Sequence, residues 1–309
     1  GNLIILESTV PVGTTEKIRE RIIELRQDLN LSDLDPNIDN GIYIAHCPER
    51  VLPGNIINEL VKNDRIIGGI TVESSKKAKE FYELFVDGDC EITDSRTAEL
   101  SKLVENSFRD VNIAFANELS VITDKLNIDV WECIRLANLH PRVEILQPGP
   151  GVGGHCIAVD PWFIIDSVPD ESILIRTARA VNDGKPEFVL KKVKESVQKI
   201  GKQISEISIA CLGLSFKKDI DDFRESPSIH IVKELLELGF KELILIEPNA
   251  SKFPDILEPS EVVFTKSIDC VYQSDIVLLL VDHTEFQKIK IDKLQDKEVI
   301  DTKGFWLKK

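Results

Sequence analysis

From Leu3 to about residue 94, short aliphatic runs alternate with amphipathic stretches of helical period. In order these are Leu3–Leu6 then Thr15–Gln27, Ile42–Ala45, Arg65–Gly69 then Ser74–Phe85, and Cys90–Thr93. Runs this short suit strands buried in a sheet, and helices between them act as crossovers, so the pattern predicts a parallel sheet wrapped by helices. The last third restarts the pattern. Ile207–Leu212, Leu243–Ile246, Val262–Phe264, Ile276–Val281 and Val299–Ile300 read as strands, and Ser226-Pro227 reads as an N-cap and first-turn pair opening a helix that Gly239 ends. Between the two lies one long helix, Ser95 to Asn127. Val104, Phe108, Val111, Phe115, Leu119, Ile122 and Leu126 step along one side of it, and Lys102, Asn106 and Arg109 along the other. Such a two-faced helix reads as a spine joining domains or subunits. Helices over Val130–Asn138, Ser172–Asn182 and Pro186–Ile200 complete the middle.

At about 150 residues per domain, 309 residues make roughly two such units, and 42% hydrophobic content fills their cores. Lys and Arg number 38 against 53 Asp and Glu, a net charge of −15. That balance argues against a nucleic-acid partner or an anionic membrane surface, while leaving room for a local cationic pocket. The longest aliphatic run, Ile276–Val281, falls far short of the roughly 20 residues of a membrane span. Six cysteines without a C-x-x-C pair fit neither a disulfide framework nor a zinc knuckle, and no histidine has metal-ligand spacing. The expectation is a cytoplasmic, reduced protein with no metal. The chain opens inside a strand-like run and has no Met, so it reads as part of a longer chain.

Gly149-Pro-Gly-Val-Gly-Gly154 satisfies G-x-G-x-x-G literally. The dinucleotide fingerprint feeds a strand into a helix N-terminus, whereas His155-Cys-Ile-Ala-Val-Asp-Pro161 follows here and is not expected to start a regular helix. A backbone cleared for close approach to Cys156 is the better reading. Cys156 is then a nucleophile, or else an incidental thiol in a tight structural loop. Lys102 and Asn106, one helical turn apart, form an oxyanion clamp or a solvated helix face. Glu49 and Thr9 sit where open α/β sheets keep their ligands, at the carboxyl ends of strands, or else Thr9 merely caps the next helix. Lys217 and Arg224, in the loop before the helix at Pro227, suit a phosphate ester or are solvated.

Five stretches in this order, ESTVPVGT (Glu7–Thr14), CPERVLPG (Cys47–Gly54), AELSKLVEN (Ala98–Asn106), GPGVGGHCIAVD (Gly149–Asp160) and LGLSFKKDIDDFRESPS (Leu212–Ser228), resemble the UDP-glucose/GDP-mannose dehydrogenase family. The resemblance covers essentially the whole chain. It implies two Rossmann-like domains, the first truncated, joined by a long central helix and a helical dimerisation region. The expected boundaries are 1–95 for the remnant of the NAD domain, 96–200 for the central helical domain with the cysteine loop, and 201–309 for the UDP-sugar domain.

The implied reaction is NAD-dependent four-electron oxidation of a sugar C6 alcohol to a carboxylate. UDP-N-acetyl-D-mannosamine is the preferred substrate, with UDP-N-acetylglucosamine or UDP-glucose as alternatives. Cys156 would capture the aldehyde, Lys102 and Asn106 would stabilise the oxyanion, and Asp160 would move a proton through a water that Thr9 helps to hold. Glu49 would assist thioester hydrolysis. Gly153 and Lys217 would border the substrate, Arg224 the cofactor, and Arg142 would reach across a homodimer interface. A thiol suits two hydride losses from one carbon, because a thiohemiacetal still carries a removable hydride. Lacking the family's strand, G-x-G-x-x-G turn and helix ahead of Leu3, these residues alone are expected to be inactive. A non-catalytic nucleotide-sugar-binding module is the rival from another class.

Overall fold

The computed structural model describes residues 2–28, 41–51, 56–250, 252–254, 257 and 262–306. The chain forms two compact units. One is Gly1–Ser107 with Asp160–Ile173, and the other is Phe108–Val159 with Leu174–Lys309. The division falls inside the long helix.

In the first unit, strands β1 (Leu3–Leu6), β2 (Tyr43–His46), β3 (Arg65–Gly69) and β4 (Cys90–Asp94) form a sheet in that order. β1 pairs parallel with β2 and β3 with β4, but β2 and β3 are antiparallel through Ala45↔Gly69 and His46↔Gly68. The expected all-parallel sheet is corrected here. The physical reason is that the link from β2 to β3, in which the short helix α2 (Ile56–Lys62) is the one element among the described residues, is no crossover. Without a crossover the chain can only return in the opposite sense. Helices α1 (Thr14–Leu25) and α3 (Val72–Tyr82) follow β1 and β3. The core gathers Ala45, Cys47, Ile67, Ala78, Tyr82 and Cys90.

In the second unit all five strands are parallel. β5 (Ser208–Leu212), β6 (Glu242–Ile246), β7 (Val262–Thr265), β8 (Ile276–Leu279) and β9 (Glu298–Asp301) lie in the order β7-β6-β5-β8-β9. Alternation along β5 is strict: Ile209 and Cys211 face one cluster, Ala210 and Leu212 the other. Helices α8 (Lys185–Ile200) and α9 (Pro227–Glu237) supply Val189, Val193, Ile229 and Val232 to the first face. The second face is closed by 3-10 turns bearing Val271, Phe286 and Leu294, where the alternating pattern had implied helices. Each aliphatic side chain so buried contributes about 1.5–3 kcal/mol.

The spine is α4 (Ser95–Leu126), followed by α5 (Val130–Ala137), α6 (Asp160–Ser167) and α7 (Ile173–Asp183). α6 corrects the expectation that no regular helix starts after Cys156. Pro161 lies in its first turn, where a missing N–H costs nothing. In the second unit α4 buries Asp110, Ala114, Asn117 and Thr123, while Phe108, Phe115, Ile122 and Leu126 are 70%, 51%, 45% and 63% exposed. The apolar stripe read from the sequence therefore faces away from this chain's own core.

Candidate active site

In the first unit the β1/β2 ladder continues past its last pair. The Cys47 N–H donates to the Leu6 carbonyl at 2.8 Å and the Glu49 N–H to the Glu7 carbonyl at 3.1 Å. The segments carrying Thr9 and Glu49 thus leave the sheet side by side at its carboxyl edge. Both residues are half-buried, and the Glu49 carboxylate turns back to accept from the Val51 N–H. The last residues of CPERVLPG, 52–54, lie outside the described residues. Thr9 does not cap α1. That helix starts at Gly13, in the left-handed region, and its free N–H groups are met by Glu99 of α4. The Glu99 carboxylate, 1% exposed, accepts from Gly13 N–H at 2.5 Å, Thr15 N–H at 2.7 Å and the Thr15 hydroxyl at 2.6 Å. A carboxylate at a helix N-terminus suits both the orphan donors and the dipole.

Lys102, half-buried on α4, lines a polar cavity of about 440 Å³ with Arg50, Lys62, Asn63, Asp64 and Glu105. Arg50 and Glu105 pair across it at 2.7 Å. One turn on, Asn106 Nδ2 donates to Asp160 Oδ2 at 2.5 Å. Asp160 is 3% exposed and is the first residue of α6, where unbonded N–H groups favour a carboxylate. Two of the residues singled out from sequence, 54 positions apart, are therefore in direct contact.

In the second unit the loop 149–154 is clamped at both ends. Gly149 N–H donates to Asn117 Oδ1 at 2.9 Å, and Gly154 N–H donates to the Arg224 carbonyl at 3.2 Å. A Cβ on Gly153 would lie 2.5 Å from the Glu225 carbonyl oxygen and 2.7 Å from Pro227 Cδ, and Gly154 (φ +85°) lies against the Phe216 ring. No strand leads into this loop, and the next helix starts only at Asp160, so among the described residues the strand–turn–helix context of the fingerprint is absent. Cys156 follows in a turn and is half-buried, as are Cys133 and Cys270, whereas Cys47, Cys90 and Cys211 are buried. Burial pushes the Cys47 thiol up to about 11. Burial acts in the same direction on Cys90 and Cys211.

Strand order places a topological switch between β5 and β8, and the loop leaving β5 carries Lys217 and Arg224 at the carboxyl edge beside it. Both are exposed. Arg224 closes on Asp222, with Nη2 to Oδ2 at 2.5 Å, which raises the guanidinium further and lowers the carboxyl. Ser226 precedes α9 as expected, but its hydroxyl donates to the Leu214 carbonyl at 2.7 Å and caps nothing. Arg142 is exposed in the turn after α5, its N–H directed at His140 Nδ1 at 3.3 Å.

Sequence reasoning missed the support of this loop. Glu247, at the end of β6 and fully buried, accepts from the N–H groups of Leu214 (2.8 Å) and Ser215 (3.3 Å). Buried His283 lies 3.1 Å from it through Nε2, and the Asp219 N–H donates to Nδ1 at 2.9 Å, so the ring proton sits on Nε2. The only sequence signal was an acidic residue just after a strand; its partners are 32 to 36 positions away.

Among the described residues, no group of three or more His, Cys, Asp or Glu could hold a metal ion, and no helix is long and apolar enough to cross a membrane. Domain models of one family match three segments: the NAD binding domain over residues 1–86, the central domain over 96–184 and the UDP binding domain over 210–308. The chain is 53% identical over 306 residues to the NDP-N-acetyl-D-galactosaminuronic acid dehydrogenase of Ralstonia solanacearum, covering 99% of this chain and 71% of that one. It is 50% identical over 310 residues to the UDP-N-acetyl-D-mannosamine dehydrogenase of Escherichia coli K12, covering 99% and 73%. Among solved structures it is similar to the UDP-D-ManNAc dehydrogenase of Pyrococcus horikoshii (TM-score 0.84, 37% identity, 98% and 69% covered). The UDP-N-acetyl-mannosamine dehydrogenase of Staphylococcus aureus is similar too (TM-score 0.80, 40% identity, 99% and 69% covered). The α/β fold with NAD-binding and UDP-binding domains on either side of a central helical segment makes this chain an NAD-dependent nucleotide-sugar dehydrogenase, a member of the UDP-glucose/GDP-mannose dehydrogenase family.

Proposed function

We propose that the reaction this chain serves is the oxidation of UDP-N-acetyl-D-mannosamine at C6 to UDP-N-acetyl-D-mannosaminuronate, through a covalent intermediate on Cys156. The carrying observation is the clamped glycine loop, which delivers a half-buried thiol beside the loop of Lys217 and Arg224. NAD, when bound, accepts one hydride at each oxidation, so two NAD molecules are reduced per sugar. Thr9 and Glu49 at the carboxyl edge of β1 and β2 suit contact with its nicotinamide end, and loop 149–154, which does not run from a strand into a helix, does not suit its pyrophosphate.

The first oxidation gives an aldehyde, to which the Cys156 thiolate adds, forming a C–S bond. The resulting thiohemiacetal loses the second hydride and becomes a thioester. Water cleaves that C–S bond, returning the thiol and releasing the carboxylate. Asp160, held by Asn106, takes the alcohol proton through a water. Lys102 and Asn106 donate to the oxygen on C6, Glu49 assists hydrolysis and Thr9 orders the water. Gly153 and Lys217 border the UDP-sugar, Arg224 the cofactor, and Arg142 the active site of a partner copy.

A homodimer is part of the reading, supported by the exposed apolar stripe of α4, and so is a reducing cytoplasmic setting, supported by six free cysteines. The polypeptide of these 309 residues alone is expected to turn over little or not at all, because its G-x-G-x-x-G run does not lead from a strand into a helix. UDP-N-acetyl-D-galactosamine is the second substrate to try, favoured by the 53%-identical Ralstonia relative; UDP-N-acetylglucosamine and UDP-glucose follow.

Iodoacetamide labelling read by peptide mass tests the proposal without turnover. Cys156 should be protected by micromolar to millimolar UDP-N-acetyl-D-mannosamine more strongly than by the other UDP-sugars, with Cys133 and Cys270 as unprotected references. Labelling of Cys156 indifferent to every UDP-sugar would overturn it.

A further inference from the structure

Four fully buried polar side chains of the second unit, none used by the chemistry above, form one string. Gly149 N–H donates to Asn117 Oδ1 at 2.9 Å, Asn117 Nδ2 donates to Asn182 Oδ1 at 2.8 Å, and Asn182 Nδ2 donates to Asp110 Oδ1 at 2.8 Å. Arg179 Nη1 closes the string on the same carboxylate at 2.6 Å. Asn117, Asn182, Asp110 and Arg179 are 0%, 1%, 0% and 2% exposed. Asp110 and Asn117 are two turns apart on α4, and Arg179 and Asn182 one turn apart on α7, so each pair shares a helix face.

The string has one possible direction. A carboxylate facing a guanidinium accepts and a backbone N–H only donates, so both ends are chemically fixed. Every amide between them must point its oxygen toward Gly149 and its nitrogen toward Asp110. Reversing either amide would set oxygen against oxygen and nitrogen against nitrogen in a buried site, at a cost of about 1–3 kcal/mol per unmade bond. Stability alone does not account for the arrangement. Apolar side chains would hold α4 to α7 at least as well as a buried ion pair, but they cannot orient an amide.

We infer that Asn117 is a positioning residue for the thiol loop, its carbonyl oxygen fixed on the Gly149 N–H by the directed string that ends on Asp110 and Arg179. The Arg224 carbonyl holds the other end of the same loop, and Asn117 therefore sets the path along which the chain reaches Cys156. The inference rests on the proposed role of Cys156 for its meaning, but the string itself does not depend on that role.

Hydrogen exchange of the peptide containing Gly149 to Cys156 tests it, beside UDP-N-acetyl-D-mannosamine protection of Cys156 from iodoacetamide and the melting temperature. In N117A the peptide should exchange about tenfold faster, the value of one hydrogen bond, while peptides of β5 to β9 exchange as before. The sugar concentration that half-protects Cys156 should rise about tenfold with it. If N117A does not fold, N117S takes its place, since its hydroxyl stops short of that N–H. Exchange in the folded Ala or Ser variant within threefold of the parent overturns the inference. Loss of the function reading looks different: the parent Cys156 would be unprotected by sugar while the exchange effect remained.

Discussion

At the level of single residues, the loop before Cys156 combines glycines with different duties. Gly154 needs its positive φ, whereas Gly153 needs only empty space, because the Glu225 carbonyl and the Pro227 ring already occupy the Cβ position. G153A should therefore destabilise the chain by about 1–3 kcal/mol and shift the loop, read as a lower urea midpoint together with weaker sugar protection of Cys156. A neutral midpoint with unchanged protection would show that the contact relaxes freely. That Cys156 stands apart from five other cysteines was legible in the sequence from its glycines. Its supports were not. Asn117, Glu99 and Glu247 each serve a backbone N–H that is 32 to 86 positions away, and no periodicity or spacing announces such a pairing.

Among the elements, strands and helices were legible wherever one face met one core. β5 to β9 and α8 follow the alternation and the 3.6-residue period closely, because both features report burial directly. The antiparallel return of β3 was not legible, since pairing sense depends on the route of the link and not on the strand. α8 also carries a charge where the pattern would place an aliphatic residue. Lys185, 4% exposed, donates to the Ser120 hydroxyl at 2.6 Å and lies 4.4 Å above the Phe188 ring centre. Burial lowers its ammonium from 10.5 to about 8. Below pH 8 the folded chain carries this charge at a cost. Between pH 8 and 10.5 the folded amine is neutral while the unfolded one still binds a proton, so its contribution to stability rises with pH. K185M removes that slope. The parent should gain up to about 3 kcal/mol relative to K185M between pH 7 and 10.5 in urea titrations. A difference independent of pH would mean that the folded amine keeps its ordinary value and titrates as the unfolded one does.

For the whole molecule, the sequence spelled out an apolar stripe on the spine helix, and the chain's own core does not cover it. Phe108, Phe115 and Ile122 recur every seven residues, the spacing of a seam between two helices. With −15 charges per chain, the proposed homodimer rests on this apolar contact and not on attraction between surfaces. F115E should convert the proposed dimer to monomer in light scattering and leave the far-ultraviolet spectrum unchanged; a parent chain that is monomeric at micromolar concentration would refute the assignment. The reversed strand of the first sheet has a further effect. Had β3 and β4 run with β2, the helix leaving β4 would have turned back along the sheet, away from the ligand edge. Because they run against it, α4 climbs out past that edge, and its third and fourth turns bring Lys102 beside Arg50 and Asn106 onto Asp160. The polarity of one strand thus chooses which end of the layer receives the cation, a decision made in the backbone before any side chain is selected.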